Sequence, residues 1–562
     1  MASPALLAAA LAVCVSGIPR GSSEGVWRLP PVLNRSYVAA VYEHKVILNP
    51  NPKIPVWREA ALEHMKKNLD VFEEQTALAA QQGAQIIVFP EDGIHGFNYS
   101  RASIASYLEP IPDPTHVTWS PCADPDRFPN TEVLHRLSCM ARKNCIFLVA
   151  NMPDRQLCSR LEDPLCPVDG QYQYNTDVVF SSDGTLVARY HKQNLYFEAA
   201  FDKPPQCEYV TFTTPFAGRF GVFTCFDILF REPAVTLVKD MGVRQLVYPT
   251  AWMNQLPLLA AVQFQRSFSF STGVTLLAAN IRSAALGMTG SGIFTPQDAL
   301  YHHDMDGESG KLLVKRVPVL DPSVPWTLSE AGNVKGNGTE NGTGTEAGNV
   351  DGKGAGKACM RTKPLSYPIK EEEEVQNKPG HCFLCRECSP SDEQTPFNST
   401  MMYDKFTMLP LQGSEGNLTV CDGSLCCQLL FRRQKPPEEE LYALGAFNGL
   451  HVVHGTYYLE VCALVRCTSL DKASCGGETE HAQTMIDFHL EGSFSTEHVY
   501  AGVLGSGMSL DLPDITGRRK NGRFHMNNIE MTTGLVTAVL YGRVYEKDGT
   551  DQDQSAGSSV LF

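Results

Sequence analysis

Gly218-Arg-Phe-Gly-Val-Phe-Thr-Cys-Phe-Asp-Ile-Leu-Phe230 holds a short apolar and β-branched run, Phe220 to Thr224, that reads as a buried strand. Cys225 follows at once, and Glu232-Pro233 offers a helix start before Ala234 to Lys239. Chemistry in open α/β sheets gathers at the carboxyl ends of strands, so a thiol on a turn there is a candidate nucleophile. A lone cysteine is more often a buried core residue or half of a disulfide. Two other strand ends shift that balance. The strand Gln85-Ile-Ile-Val-Phe89 runs into Pro90 and Glu91, and Leu186-Val-Ala-Arg-Tyr-His191 runs into Lys192. Singly, each charge reads as solvated surface; together an acid, a cation and a thiol end three strands in the order Glu91, Lys192, Cys225.

That order and its flanking residues resemble the nitrilase, or carbon–nitrogen hydrolase, superfamily. Ala39-Ala-Val-Tyr-Glu-His44, Pro90-Glu-Asp-Gly-Ile-His-Gly-Phe-Asn98, Tyr172-Gln-Tyr-Asn-Thr-Asp177, Tyr196-Phe-Glu-Ala-Ala-Phe-Asp202 and Pro249-Thr-Ala-Trp-Met-Asn254 are similar to its biotinidase–vanin branch. The resemblance covers most of the chain and thins over 321–395 and beyond 547. It implies a four-layer αββα sandwich, with Glu91 as proton acceptor, Lys192 as proton donor and oxyanion stabiliser, and Cys225 as nucleophile. It also implies a substrate class, the amide of biocytin and short biotinyl peptides. The rival readings are a pantetheinase with the same chemistry, or a non-catalytic biotin-binding glycoprotein.

The chemistry is intelligible from the residues. A thiol attacks only as thiolate, and its free pKa is about 8.5. Lys192 nearby favours the anion. Glu91 within reach takes the thiol proton and returns it to the leaving amine. Lys192 and backbone N–H groups near Cys225 stabilise the oxyanion. No metal or organic cofactor is needed. Gly-x-Ser-x-Gly occurs only as Gly21-Ser-Ser-Glu-Gly25, beside the signal-peptide run and after no strand, and no papain-type context surrounds Cys225. His95, Tyr248 and Trp252 are candidate pocket residues, with packing roles the competing reading.

The chain has 562 residues and a net charge of 47 − 62 = −15 with histidine neutral, which argues against nucleic acid as the partner. Leu6 to Val15 is a short apolar run that reads as a signal-peptide core ending near residue 22. No later stretch is long and apolar enough for a membrane span, and the C-terminal residues lack an anchor signal, so a secreted protein is expected. Eighteen cysteines fit an oxidising compartment; without Cys14 and Cys225 the remaining 16 permit full pairing. Sequons at Asn34, Asn98, Asn337, Asn341, Asn398 and Asn417 fit the same compartment.

Strands alternating with helices over 36–320 indicate an α/β catalytic domain. Helices are expected at Trp57–Gln82, Asn130–Arg142, Glu232–Asp240 and Gln255–Ser271. Residues 321–395 read as a polar, glycine-rich insert and linker. Cys382-x-x-Cys385-x-x-Cys388 beside His381 reads as disulfide cysteines rather than a zinc site. From 396 to 547, short strands with turns indicate a second, mainly β domain, followed by a polar tail over 548–562. Oligomeric state is not legible.

Overall fold

The computed structural model describes residues 36–328 and 395–548, apart from 308, 325, 327 and 436–439. The signal-peptide reading, the glycine-rich insert, the Cys382–Cys388 cluster, the tail, and the sequons at Asn34, Asn337 and Asn341 lie outside the described residues.

The α/β half opens with β1 (Ser36–Glu43), α1 (Arg58–Gln81), β2 (Ile86–Val88), α2 (Arg101–Ile104), α3 (Glu132–Asn144), β3 (Phe147–Leu157), β4 (Gln171–Phe180) and β5 (Leu186–His191). It continues with β6 (Thr211–Thr214), β7 (Gly218–Val222), α4 (Thr236–Lys239), β8 (Gln245–Thr250), α5 (Ala261–Thr272), β9 (Thr275–Asn280), β10 (Ser291–Phe294), β11 (Ala299–His302) and β12 (Lys311–Pro318). Two six-stranded sheets result, ordered β12-β1-β2-β3-β4-β5 and β11-β10-β9-β8-β7-β6. Each has a parallel centre, β1-β2-β3 in one and β7-β8-β9 in the other. Their facing sides share one core, where Val41, Ile86 and Val149 meet Phe220, Val247 and Leu277. The tyrosine hydroxyl of Tyr37 crosses between them to Gln245 Oε1 at 2.9 Å.

Helix α1 covers the outer face of the first sheet because Ala61, Met65, Leu69, Phe72 and Ala79 fall on one helical stripe. Helix α5 covers the second sheet but is buried all round, including Gln263, Gln265, Arg266 and Ser269. Its other face is taken by the C-terminal half. A polar helix with no solvent face must satisfy its groups locally, and Ser267 and Thr272 donate to the carbonyls of Gln263 and Phe268. The sandwich is therefore αββα, as expected, with the second helical layer roofed by more sheet.

That roof comprises β13 (Phe397–Met401), β14 (Asp404–Pro410), β15 (Glu415–Asp422), β16 (Leu425–Arg433), β17 (Tyr442–His451), β18 (Tyr457–Arg466), β19 (Ile486–Gly492), β20 (Val499–Gly505), β21 (Ser509–Asp511), β22 (Ile515–Arg518), β23 (Phe524–Asn528) and β24 (Leu535–Arg543). A seven-stranded sheet, β13-β14-β17-β18-β24-β20-β21, packs on a five-stranded one, β15-β16-β19-β23-β22. Gly502 on β20 lies against α5 so closely that an added Cβ would sit 2.4 Å from Ser267 Oγ. Gly502→Ala is expected to destabilise by about 1–3 kcal/mol through overpacking. Adding Ser267→Ala should recover most of the loss in thermal unfolding, because the clash is with that hydroxyl.

Two helix expectations need correction. The span Glu232–Asp240 is helical only from Thr236, after a π-type turn over Arg231–Val235. Glu232 is extended, at φ −102° and ψ 123°, as the residue before a proline prefers. The span Gln255–Ser271 is helical only from Ala261, because Pro257 cannot occupy a helix interior. Among the described residues, five disulfides close short loops or pair strands: Cys122–Cys139, Cys158–Cys166, Cys421–Cys426, Cys427–Cys462 and Cys467–Cys475. Cys145 is also disulfide-bonded. Cys207 is a free thiol alongside Cys225, so pairing is not complete once Cys225 is set aside.

Candidate active site

Three strand ends converge where the parallel centres of the sheets end. Strand β2 delivers Glu91, β5 delivers Lys192, and β7 delivers Cys225 on the turn that follows. Lys192 Nζ lies 2.6 Å from Glu91 Oε1. Glu91 also accepts from Asn175 Nδ2 at 2.8 Å and, through Oε2, from the Ala251 N–H at 3.0 Å. The same Ala251 N–H, together with Thr250, lies against the Cys225 thiol, which also feels the charges of Glu91 and Lys192. All three residues are buried.

Sequence reading missed a second carboxylate. Glu198 accepts from Lys192 Nζ and, at 2.7 Å, from Asn175 Nδ2. Asn175 thus spans both acids, and Asn151 fixes Asn175 and Asp177 in turn at 2.6 and 2.9 Å. The signal existed: Gln173, Asn175 and Asp177 alternate along β4, so they share one face of the sheet, and all three are buried.

The turn that carries Cys225 is pinned at three points. Thr224 N–H donates to Asp227 Oδ2 at 3.0 Å, Thr224 Oγ1 donates to Asp177 Oδ2 at 2.7 Å, and the Cys225 carbonyl accepts from Tyr248 OH at 2.8 Å. Asp227 also receives Tyr190 OH and the N–H of Asn194, which ties the thiol turn to the loop carrying Lys192. Cys225 itself sits at φ 46°, a left-handed conformation that costs a non-glycine residue of order 1–2 kcal/mol.

Burial pushes the Cys225 thiol well up, and the Glu91 charge adds to that; Lys192 opposes without prevailing. Lys192 favours the anion, as its charge implies, but it also serves two carboxylates, and burial outweighs it. Burial works against the charge on Lys192, but Glu198, Glu91 and Cys225 together hold it well above the usual lysine value. Burial, chiefly, raises Asp177 to about 8 and Asp227 to about 6.

Next to Lys192, His191 is clamped between Asp154 and Glu208, each at 2.8 Å. Burial lowers its pKa, but the two carboxylates overcome this and raise it. A histidine with a raised folded pKa contributes stability that is full below its unfolded value, about 6.5, and is lost as pH rises through the folded value. Unfolding free energy should therefore fall as pH rises past neutrality, and His191→Gln should flatten that slope in chemical denaturation.

A cavity of about 420 Å³ opens over Cys225. Tyr196, Phe226, Leu229, Trp252, Leu259 and Tyr457 form much of its wall. Trp252 thus lines it. Tyr248 does not; it is buried beneath the thiol turn. His95 does not either: it is buried beside Asp92 at 3.4 Å, between the rings of Tyr99 and Phe201, with its pKa lowered by burial to about 3. The C-terminal half supplies His451, His454 and Tyr457, which sequence reading did not connect with the site. The turn between β17 and β18 brings them in. Gly455, at φ 131°, lies so close that a Cβ would meet the Phe226 ring at 2.7 Å.

The carbon–nitrogen hydrolase family matches residues 51–286, the span holding Glu91, Lys192 and Cys225, and the vanin C-terminal domain family matches 395–548. Over 526 residues the chain is 52% identical to the biotinidase of Takifugu rubripes, covering 92% of this chain and 96% of that one. It is 51% identical over 511 residues to the biotinidase of Mus musculus, covering 91% and 93%. Over 519 residues it is 44% identical to the pantetheinase of Sus scrofa, covering 91% and 90%. The chain belongs to the biotinidase family of carbon–nitrogen hydrolases.

Proposed function

We propose that this chain hydrolyses the amide of biocytin and biotinyl peptides to biotin and a free lysine amine. The observation that carries the proposal is the 2.6 Å contact of Glu91 with Lys192 beside a buried cysteine on a left-handed turn. Cys225 rests as a thiol. Glu91 takes its proton as sulfur attacks the amide carbonyl, forming the S–C bond. Lys192 and a backbone N–H stabilise the negative oxygen. The C–N bond then breaks, and the amine leaves with the proton held by Glu91. Glu91 next deprotonates water, which attacks the thioester; the acid departs and the thiol is restored. An amine in place of water would give biotin transfer by the same second half.

The higher identity to biotinidases than to pantetheinases supports a biotinyl acyl group, and the largely apolar wall suits it. The pantetheinase reading shares every chemical step. Brief exposure to a biotinyl amide followed by mass analysis should find a biotinyl thioester on the peptide carrying Cys225. Modification elsewhere would remove the nucleophile assignment, and faster turnover of pantetheine than of biocytin would replace the substrate. Absence of turnover on both would favour the non-catalytic binding reading.

The catalytic span is taken as 36–320 and the β domain as 396–547. Five disulfides support an oxidising compartment, and Asn98, Asn398 and Asn417 are exposed, consistent with a secreted glycoprotein. No helix among the described residues is long and apolar enough to cross a membrane.

A further inference from the structure

The deep end of the cavity belongs to the second domain. His451 ends β17, is almost fully buried, and lies with its ring 4.6 Å from that of Tyr457. Its Nδ1 is 2.7 Å from Asp404 Oδ2. His451 and Tyr457 line the cavity over Cys225 and also a second cavity of about 210 Å³ behind it, whose wall includes Leu258, Met401 and Phe406. His451 therefore stands at the neck between the two.

The tautomer follows from the partner. A carboxylate only accepts, so a neutral ring donates from Nδ1 to Asp404 and leaves Nε2 as a bare acceptor. No hydrogen-bond partner for Nε2 occurs among the described residues. The neighbouring polar atoms are already committed: Trp252 Nε1 donates to the Leu259 carbonyl at 2.9 Å, and Tyr196 OH lies 3.2 Å from His454 Nδ1. Gln255 also lines the cavity but is only half-buried, as is His454, whose ring meets those of the exposed Phe197 and Tyr403. The cavity thus has a wetter aromatic mouth and a largely apolar inner end where His451 Nε2 is an acceptor, with Asp404 and the Tyr541 hydroxyl on the wall behind it. A charged amine leaving group suits the mouth. An acyl chain suits the inner end.

We propose that His451, held by Asp404, is the specificity-determining residue that accepts a hydrogen bond from an N–H or O–H at the far end of an otherwise apolar acyl group. Asp404 is a positioning residue. The proposal rests on Cys225 being the acylated nucleophile, and its test is kept separate from turnover. A buried acceptor that meets a ligand lacking the donor loses its bond without replacement, so discrimination is expected to be large.

The experiment is calorimetric titration of the Cys225→Ala chain with free biotin, which carries ureido N–H groups, and with 5-cyclopentylpentanoic acid, which has none. Adding His451→Phe should weaken biotin by about tenfold or more and change the cyclopentyl acid by less than about twofold. Asp404→Asn, which can donate to Nδ1 and turn Nε2 into a donor, should reproduce the selective loss with the imidazole still in place. Equal weakening of both acids in the two variants, or of neither, overturns the proposal. Failure of the unmodified chain to cleave any amide sinks the thioester reading alone, because these affinities do not depend on turnover.

Discussion

Cys225→Ala is expected to lower turnover of the amide substrate by about four orders of magnitude or more, the size of loss that follows removal of a nucleophile from a preorganised site. The remainder of the site stays assembled in that variant. The Cys225 carbonyl still receives Tyr248 OH, Thr224 is still held by Asp227 and Asp177, and Glu91 keeps Lys192, Asn175 and the Ala251 N–H. Far-UV dichroism and melting should therefore change little. Cys225→Gly separates chemistry from backbone strain. At φ 46° an alanine bears the left-handed penalty of about 1–2 kcal/mol, whereas glycine bears only its larger unfolded-state entropy, about 0.4–1 kcal/mol. The glycine variant should melt above the alanine variant and be equally inactive. If Cys225→Ala retained turnover within tenfold of the parent, sulfur would not be the nucleophile.

Lys192→Met carries the second large effect, and here stability moves with activity. Lys192 is the cation between Glu91 and Glu198; Lys192 and Glu91 are buried and Glu198 is half-buried. Removing one partner of a buried ion pair typically costs about 3–5 kcal/mol, because the opposite charge remains in a poor solvent. Here two carboxylates remain, bridged only by Asn175. Glu198 already has its pKa raised, by burial first, with Lys192 opposing and Glu91 adding. Without Lys192 that rise must grow. A carboxylate with a raised folded pKa favours folding below its unfolded value and loses that contribution as pH rises through the folded one. The variant should therefore be most destabilised at neutral pH and recover on acidification, and Glu198→Gln in the same chain should restore much of the loss. Urea denaturation across that pH range measures both; a flat pH profile would contradict the shared-cation arrangement.

Glu91, Lys192 and Cys225 were legible because each follows a short apolar strand; their meeting was not, since β2 and β5 lie in one sheet and β7 in the other. The α/β class was legible because strand and helix periods alternate, whereas the αββα layering was implied only by the family resemblance. Other features needed the fold. Glu198 follows no strand, and nothing local distinguishes it from a surface acid. Asn175 sits in the string Tyr172 to Asp177, yet its part in the site follows only when β4 is paired and its polar face is enclosed. Helices α4 and α5 start later than helical spacing implies, at Thr236 and Ala261, beyond Pro233 and Pro257. His95 and Tyr248 were assigned to the cavity by proximity in sequence, whereas they sit beneath it. His451 and Tyr457 were beyond reach because more than two hundred residues separate them from Cys225.

Arg543 shows what that distance means. It is fully buried at the end of β24, with its guanidinium between the rings of Tyr457 and Tyr545, and its Nε donates to the Leu229 carbonyl, four residues from the thiol. Gly455 presses on Phe226 from the same side. The support of the Cys225 turn thus spans both halves of the polypeptide, and the N-terminal half is not a detachable module. A premature stop before β24 would remove a brace of the reaction centre while leaving every proposed catalytic side chain in the translated product.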